Sequence, residues 1–204
     1  KAKRPSAKAL VKSVVKSVPK SVKKASGSTK PKGVPKGMTL AKAAKWAEPR
    51  VSKKRFQHIA GVAEVGLELA KFAGLSPADR LLVGLACWLH DSCKEMKDFE
   101  LIDRAKAFGM PLTDMEKNHG HLLHGPVAAL TIKKELKISN KEVLNSISEH
   151  TLGAPNMSEI SKVVFLADCL EASRPADFTG PIWAALDEPT SSAAALSGPK
   201  GQKG

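Results

Sequence analysis

Six side chains in this sequence stand where chemistry is expected. His90 is followed directly by Asp91, and both come at the end of the apolar run LLVGLACWL. Burying an imidazole and a carboxylate without partners costs several kcal/mol, about 2–7 for each neutral polar group and more for a charge, so something must compensate. Asp168 follows a second apolar run, KVVFLA, and poses the same problem. His58, His124 and His150 complete the set. Neutral imidazole and carboxylate together suit divalent ions such as Fe, Mn or Zn. Six ligands exceed one tetrahedral site. They are enough for two adjacent ions with Asp91 bridging and with positions left open for water. A single histidine on an apolar face is ordinarily a hydrogen-bonded core residue. His119 and His121, in the loop NHGH, keep a structural reading of that kind, as surface-loop residues.

Six residues scattered over more than a hundred positions need a scaffold to meet. From about residue 38 apolar residues recur at helical spacing, and no strand alternation is present. The spacing predicts helices near 39–46, 52–73, 78–92, 97–109, 120–136, 140–151 and 157–172. Ser76 and Pro77 suit an N-cap and first turn. Gly74 suits a helix end, Ser139 or Asn140 an N-cap, and Ser158-Glu159-Ile160 a helix start. An all-α bundle can point side chains from several such helices at one place. After Arg174 the sequence turns low-complexity, with at most one short helix near Pro181 to Leu186. The expected division is a tail over 1–37, a helical domain over 38–175 and a C-terminal tail over 176–204.

The chain of 204 residues carries a net charge of +13, and that charge is local. Residues 1–37 hold eleven Lys, one Arg and no acid, whereas the other 167 residues hold 21 basic and 20 acidic side chains. The charge distribution therefore argues against a wholly basic nucleic-acid-binding domain. Lysine repulsion, Ser and Pro favour disorder in the tail, because little apolar surface is available to offset the ordering entropy. Such a tail suits salt-sensitive contact with polyanions, and an acid-free, Ser-containing stretch is also compatible with organellar targeting. No run of eighteen apolar residues occurs, which excludes a membrane span. Cys87, Cys93 and Cys169 form no C-x-x-C pair, as expected of a reducing, cytoplasmic protein. Walker-type G-x-x-x-x-G-K-[ST] and G-x-S-x-G motifs are absent.

The segments RFQHIAGVAEVGLELA (55–70), GLACWLHDSCKE (84–95), LLHGPVAA (122–129) and EHTLGAPNMSEISKVVFLADCLEASR (149–174) resemble the HD superfamily of metal-dependent phosphohydrolases. They resemble in particular its YqeK-type symmetrical bis(5'-nucleosyl)-tetraphosphatases. The resemblance covers roughly residues 50–175. It implies an all-helical HD fold and metal contacts at His58, His90, Asp91, His124, His150 and Asp168. It implies two Fe ions, with Mn, Co or Zn compatible with the same ligands. It places Asp91 and Lys94 in catalysis and Arg55, Lys94, Glu171 and Arg174 near the substrate. The implied reaction splits diadenosine tetraphosphate into two ADP by a metal-activated water. The family's Glu-Pro-x-x-Arg ending is here Glu171-Ala172-Ser173-Arg174, and its further C-terminal helices look shortened or replaced. Two other readings remain: an HD hydrolase of another nucleotide, and a non-catalytic module whose basic tail binds polyanions. An uncovered apolar helix face would support a homodimer.

Overall fold

The structure, a computed structural model, describes residues 31–187. Those residues form nine α-helices and no strand. In chain order they are α1 (Leu40–Ala47), α2 (Lys53–Phe72), α3 (Pro77–Leu89), α4 (Asp98–Ala107), α5 (Asp114–Asn118), α6 (His124–Glu135), α7 (Lys141–Glu149), α8 (Glu159–Leu170) and α9 (Ala176–Asp187). Two 3₁₀ turns, Glu48–Arg50 and Gly120–Leu123, join α1 to α2 and precede α6. No described helix is long and apolar enough to cross a membrane.

Polar caps fix where the helices begin. The side chains of Ser52, Ser76, Asn140 and Ser158 each accept a backbone N–H from the first turn of α2, α3, α7 and α8. Ser52 is itself held by Glu95, whose carboxylate takes the Ser52 backbone N–H and hydroxyl at 2.6 Å each. That contact ties the start of α2 to the loop that follows α3.

α3 is the central element. It packs against α1, α2, α7 and α8. Leu82, Val83, Leu85, Ala86, Cys87 and Leu89 on it are all buried. A helix enclosed on every side delivers whatever follows it into the interior, which is why His90 and Asp91 are buried. The stripe His58, Val62, Val65 and Leu69 on α2 faces the same core.

Three features differ from the sequence reading. The predicted helix over 120–136 is a 3₁₀ turn followed by α6, preceded by the unpredicted α5. Gly120 lies so close to the Asp98 backbone that a Cβ there would sit 2.4 Å from its carbonyl oxygen, and the chain turns at that point. The C-terminal helix starts at Ala176 and runs twelve residues, with Pro181 inside it. Its first turn closes because Thr179 donates both its N–H and its hydroxyl to the Pro175 carbonyl. Finally, part of the expected 1–37 tail belongs to the helical body. Val34 is buried, the Gly33 carbonyl accepts the N–H groups of Ser139 and Asn140, and Asn140 Nδ2 donates to the Lys32 carbonyl. Residues 1–30, where the remaining tail lies, are outside the described residues.

Candidate metal centre

Three of the histidines are set by one local device. His90 caps the end of α3, His124 the end of the 3₁₀ turn, and His150 the end of α7. Helix ends leave carbonyl groups without intrahelical partners. Each ring uses the carbonyl three residues back: His90 Nδ1 lies 2.8 Å from Cys87 O, His124 Nδ1 2.6 Å from His121 O, and His150 Nδ1 2.7 Å from Ile147 O. A carbonyl can only accept, so Nδ1 carries the proton in all three and Nε2 presents its lone pair. His58 is oriented differently, with Nδ1 2.9 Å from the Glu171 carboxylate.

The four Nε2 atoms converge on two carboxylates. His58 Nε2 is 3.0 Å from Asp168 Oδ1. Asp91 turns its Oδ2 to His58 and His90, at 3.8 and 3.6 Å, and its Oδ1 to His124 and His150, at 3.5 and 3.4 Å. It thereby sorts the histidines into two pairs. Nε2 of His90 is buried without a hydrogen-bond partner among the described residues, and Nε2 of His58 meets only the Asp168 and Asp91 carboxylates. Nε2 of His124 and of His150 face each other at 3.1 Å. The Thr151 hydroxyl touches both, at 3.0 and 3.1 Å, but has one proton to give. Converging lone pairs in a buried space want a positive charge. Three groups of donor atoms each lie within 4.8 Å of one another: His58, His90 and Asp91; His90, His150 and Asp168; Asp91, His124 and His150. Donors of one tetrahedral ion with bonds of about 2.0–2.2 Å are separated by about 3.4 Å, so the donor set fits divalent cations. Imidazole with carboxylate suits Fe, Mn, Co or Zn rather than Ca or Mg.

The electrostatics agree. Burial works against charge on Asp91, yet His90, His150 and His124 hold its carboxyl well below the usual range. Asp168 is likewise buried and likewise held low, by His58, His90 and Arg174. Burial, with His150 nearby, pushes His124 down to about 4 and also lowers His90. Burial thus favours the neutral form of both rings, the form in which imidazole binds a metal. Burial also opposes charge on His58, but Asp168, Glu171 and Asp91 around it lift its pKa to about 9. In the metal-free protein a proton takes the place of the cation at that ring.

The cationic residues sit around this cluster. Arg55 Nη1 is 3.0 Å from Asp91 Oδ2, and the Arg174 guanidinium bonds both the carboxylate and the backbone carbonyl of Asp168. Lys94 Nζ is 3.3 Å from His124 Nε2, and burial lowers its pKa. Glu171 is seated on Gly61, where a Cβ would stand 2.7 Å from Glu171 Oε1, and is also bonded by the Ser173 hydroxyl. All ten residues singled out by sequence therefore meet at one place. His119 and His121 are exposed and turn no ring into it, His121 serving only through its backbone carbonyl. Thr151 and Gly61 belong to the site and were not anticipated. Thr151 adjoins His150 in the sequence, which was the available signal; Gly61 carries none, since its role depends on a residue 110 positions away.

Known proteins resemble the chain over this same region. Residues 55–173 match the HD domain family. The symmetrical bis(5'-nucleosyl)-tetraphosphatase of Halalkalibacterium halodurans is 34% identical over 139 residues, covering 67% of this chain and 71% of its own. The enzyme of the same description from Bacillus subtilis is 31% identical over 142 residues, covering 67% and 72%. A crystal structure from Clostridium acetobutylicum, described as a predicted HD superfamily hydrolase involved in NAD metabolism, superposes with a TM-score of 0.67 at 28% identity, over 74% of this chain and 78% of that one. With the family match spanning every one of the six converging His and Asp residues, the chain belongs to the HD-domain family, within its YqeK-type group.

Proposed function

We propose that the chain is a metal-dependent hydrolase that splits diadenosine tetraphosphate between its second and third phosphates, giving two ADP. The observation that carries this reading is the set of four Nε2 lone pairs gathered around Asp91 and Asp168 in a family whose named relatives do this reaction. Two ions would be held, one by each pair of histidines, with Asp91 between them and Asp168 on the His58–His90 side. Iron is the ion that the resemblance implies. A divalent ion held there supplies Lewis-acid charge and brings the pKa of water toward neutrality.

The remaining work falls to the protein's own groups. A tetraphosphate carries several negative charges, and they increase on the leaving oxygen as the bond breaks. Arg55, Lys94 and Arg174 surround the cluster and supply fixed positive charge where that happens. The two arginines are already aimed by Asp91 and Asp168, so little reorganisation is needed on binding. Their planar forks suit phosphate oxygens. Attack by a water oxygen on one of the two inner phosphorus atoms breaks its bond to the central bridging oxygen, which leaves on the other half; the two protons of the water pass to solvent, and two identical ADP molecules result. Free Cys87, Cys93 and Cys169 fit a reducing compartment such as the cytoplasm.

The test is anaerobic incubation of the full chain with ferrous iron and diadenosine tetraphosphate. ADP as sole product supports the reading, whereas ATP with AMP, or no product from metal-loaded protein, overturns it. Asp91→Ala is expected to lose metal and hydrolysis together.

A further inference from the structure

Two cavities open beside the cluster, and they differ in chemistry. The larger, about 560 Å³, is lined by polar and charged residues including Ser52, Lys54, Gln57 and Glu95. The smaller, about 280 Å³, has Asp91, Lys94 and His150 on one side and the rings of Phe165 and Phe178 in its wall. Arg55 and Arg174 line both. The guanidinium pair therefore stands between a space with no phenyl ring in its wall and one with two.

The two rings are placed by different means. Phe165 lies three residues before Asp168 on α8, so both project from one helix face toward the site. Phe178 comes from α9, beyond residue 173 where the family match ends. It is 51% exposed, although Thr179 beside it is buried. Exposed apolar side chains are ordinary on a protein surface, but this ring shares the wall of a charged cavity with Phe165, so an apolar group bound there would be buried against both rings. A ligand that fits must be flat and apolar at one end and anionic at the other.

We propose that the Phe165–Phe178 cavity seats the nucleobase of one ADP half of the substrate, while the other half lies in the larger cavity, which has no phenyl ring to stack on. The inference rests on the hydrolase reading above and adds an inequality between two chemically identical halves. One half is held by stacking and charge, the other by charge and hydrogen bonds alone. Because every base has a π-face, the seat tolerates different bases and favours purines for their larger area. The same seat makes ADP a competitive product inhibitor.

The experiment uses the full chain loaded with manganese, which avoids iron oxidation. Binding of ADP and of pyrophosphate, a base-free probe, is measured by calorimetry for wild type, Phe178→Ala and Phe178→Tyr. Phe178→Ala is expected to weaken ADP about tenfold, within the range for losing one base–aromatic stack. Pyrophosphate affinity should change less than about twofold, and Phe178→Tyr should bind ADP like wild type. Unchanged ADP affinity in Phe178→Ala, equal losses for both probes, or no ADP binding to wild type overturns the base seat. Steady-state kinetics separate this from the broader reading. Cleavage of diadenosine tetraphosphate with the same KM in wild type and Phe178→Ala removes the seat and leaves the hydrolase. Phe178-dependent ADP binding without cleavage keeps the seat and removes the hydrolase.

Discussion

His58 is held from both sides of its ring. Glu171 takes Nδ1 at 2.9 Å, and Nε2 turns toward Asp168 at 3.0 Å. A carboxylate behind a ligating histidine fixes its tautomer and raises its basicity, and loss of such a partner typically costs about 10–100-fold in metal affinity. Glu171→Gln keeps the side-chain length but loses the charge. It is expected to weaken metal binding by about tenfold or more, read by competition with a chromogenic chelator, and to lower the thermal transition of the metal-free protein without abolishing it, because Glu171 also stabilises the His58 ring there. Binding equal to wild type would make Glu171 a spectator. Gly61→Ala offers a second route to the same end. The nearest atoms its Cβ meets all belong to the Glu171 side chain, so the fold can absorb it, but Glu171 is pushed off His58. The metal affinity of Gly61→Ala is expected to fall with that of Glu171→Gln. The double variant should then show less than the sum of the two effects, because both act through one contact.

The helices bring these residues together through close approaches that only small residues permit. Gly125, the second residue of α6, faces the end of α7: a Cβ there would lie 2.8 Å from Ile147 O and 3.2 Å from Ser148 O. Gly→Ala in a helix ordinarily gains about 1 kcal/mol from propensity. Here the obstacle is backbone, which cannot swing aside, and overpacking of this kind costs about 1–3 kcal/mol. The cost outweighs the gain. Gly125→Ala is expected to melt lower than wild type and to bind metal weakly, because parting α6 from α7 parts His124 from His150. A calorimetric scan with and without metal checks both points. The same scale shows what the sequence could and could not tell. His90, Asp91 and Asp168 were legible because each interrupts an apolar run, a conflict visible in one dimension. The cap Ser76 and the helix start at Ser158 were legible because capping is local, and Asn140 was one of two candidates for its cap. α5 was missed although Thr113 and Glu116 form a capping box. The helix is five residues long and buries none of them, so it leaves no apolar periodicity. Phe178 was illegible because a phenylalanine near Pro and Gly reads as loop until α9 carries it to the cavity.

Across the whole molecule the charge is lopsided, and the boundary of the helical body decides how that can be tested. Residues 1–31 carry ten of the twelve positive charges in the first 37 positions. The next few residues do a different job. Gly33 accepts two backbone N–H groups at the start of α7, Asn140 holds the Lys32 carbonyl, and Val34 is buried in the core. We propose that the basic segment contacts polyanions and that residues 32–34 clasp α7, so two truncations should behave differently. Removal of residues 1–31 is expected to lower affinity for heparin or RNA and to flatten its dependence on log salt, as loss of phosphate contacts requires. Hydrolysis of diadenosine tetraphosphate by that variant should match the full chain. Removal of residues 1–37 should lose the same polyanion affinity and in addition about 2–3 kcal/mol of stability, from Val34 burial and the lost hydrogen bonds. That corresponds to a melting temperature lower by roughly 5–10 °C for a domain of this size. Because the clasped end of α7 is opposite the end that carries His150, the longer truncation should destabilise the fold before it alters KM. Equal melting temperatures for the two truncations would sink the clasp, and unchanged heparin binding by both would sink the polyanion role of the basic segment.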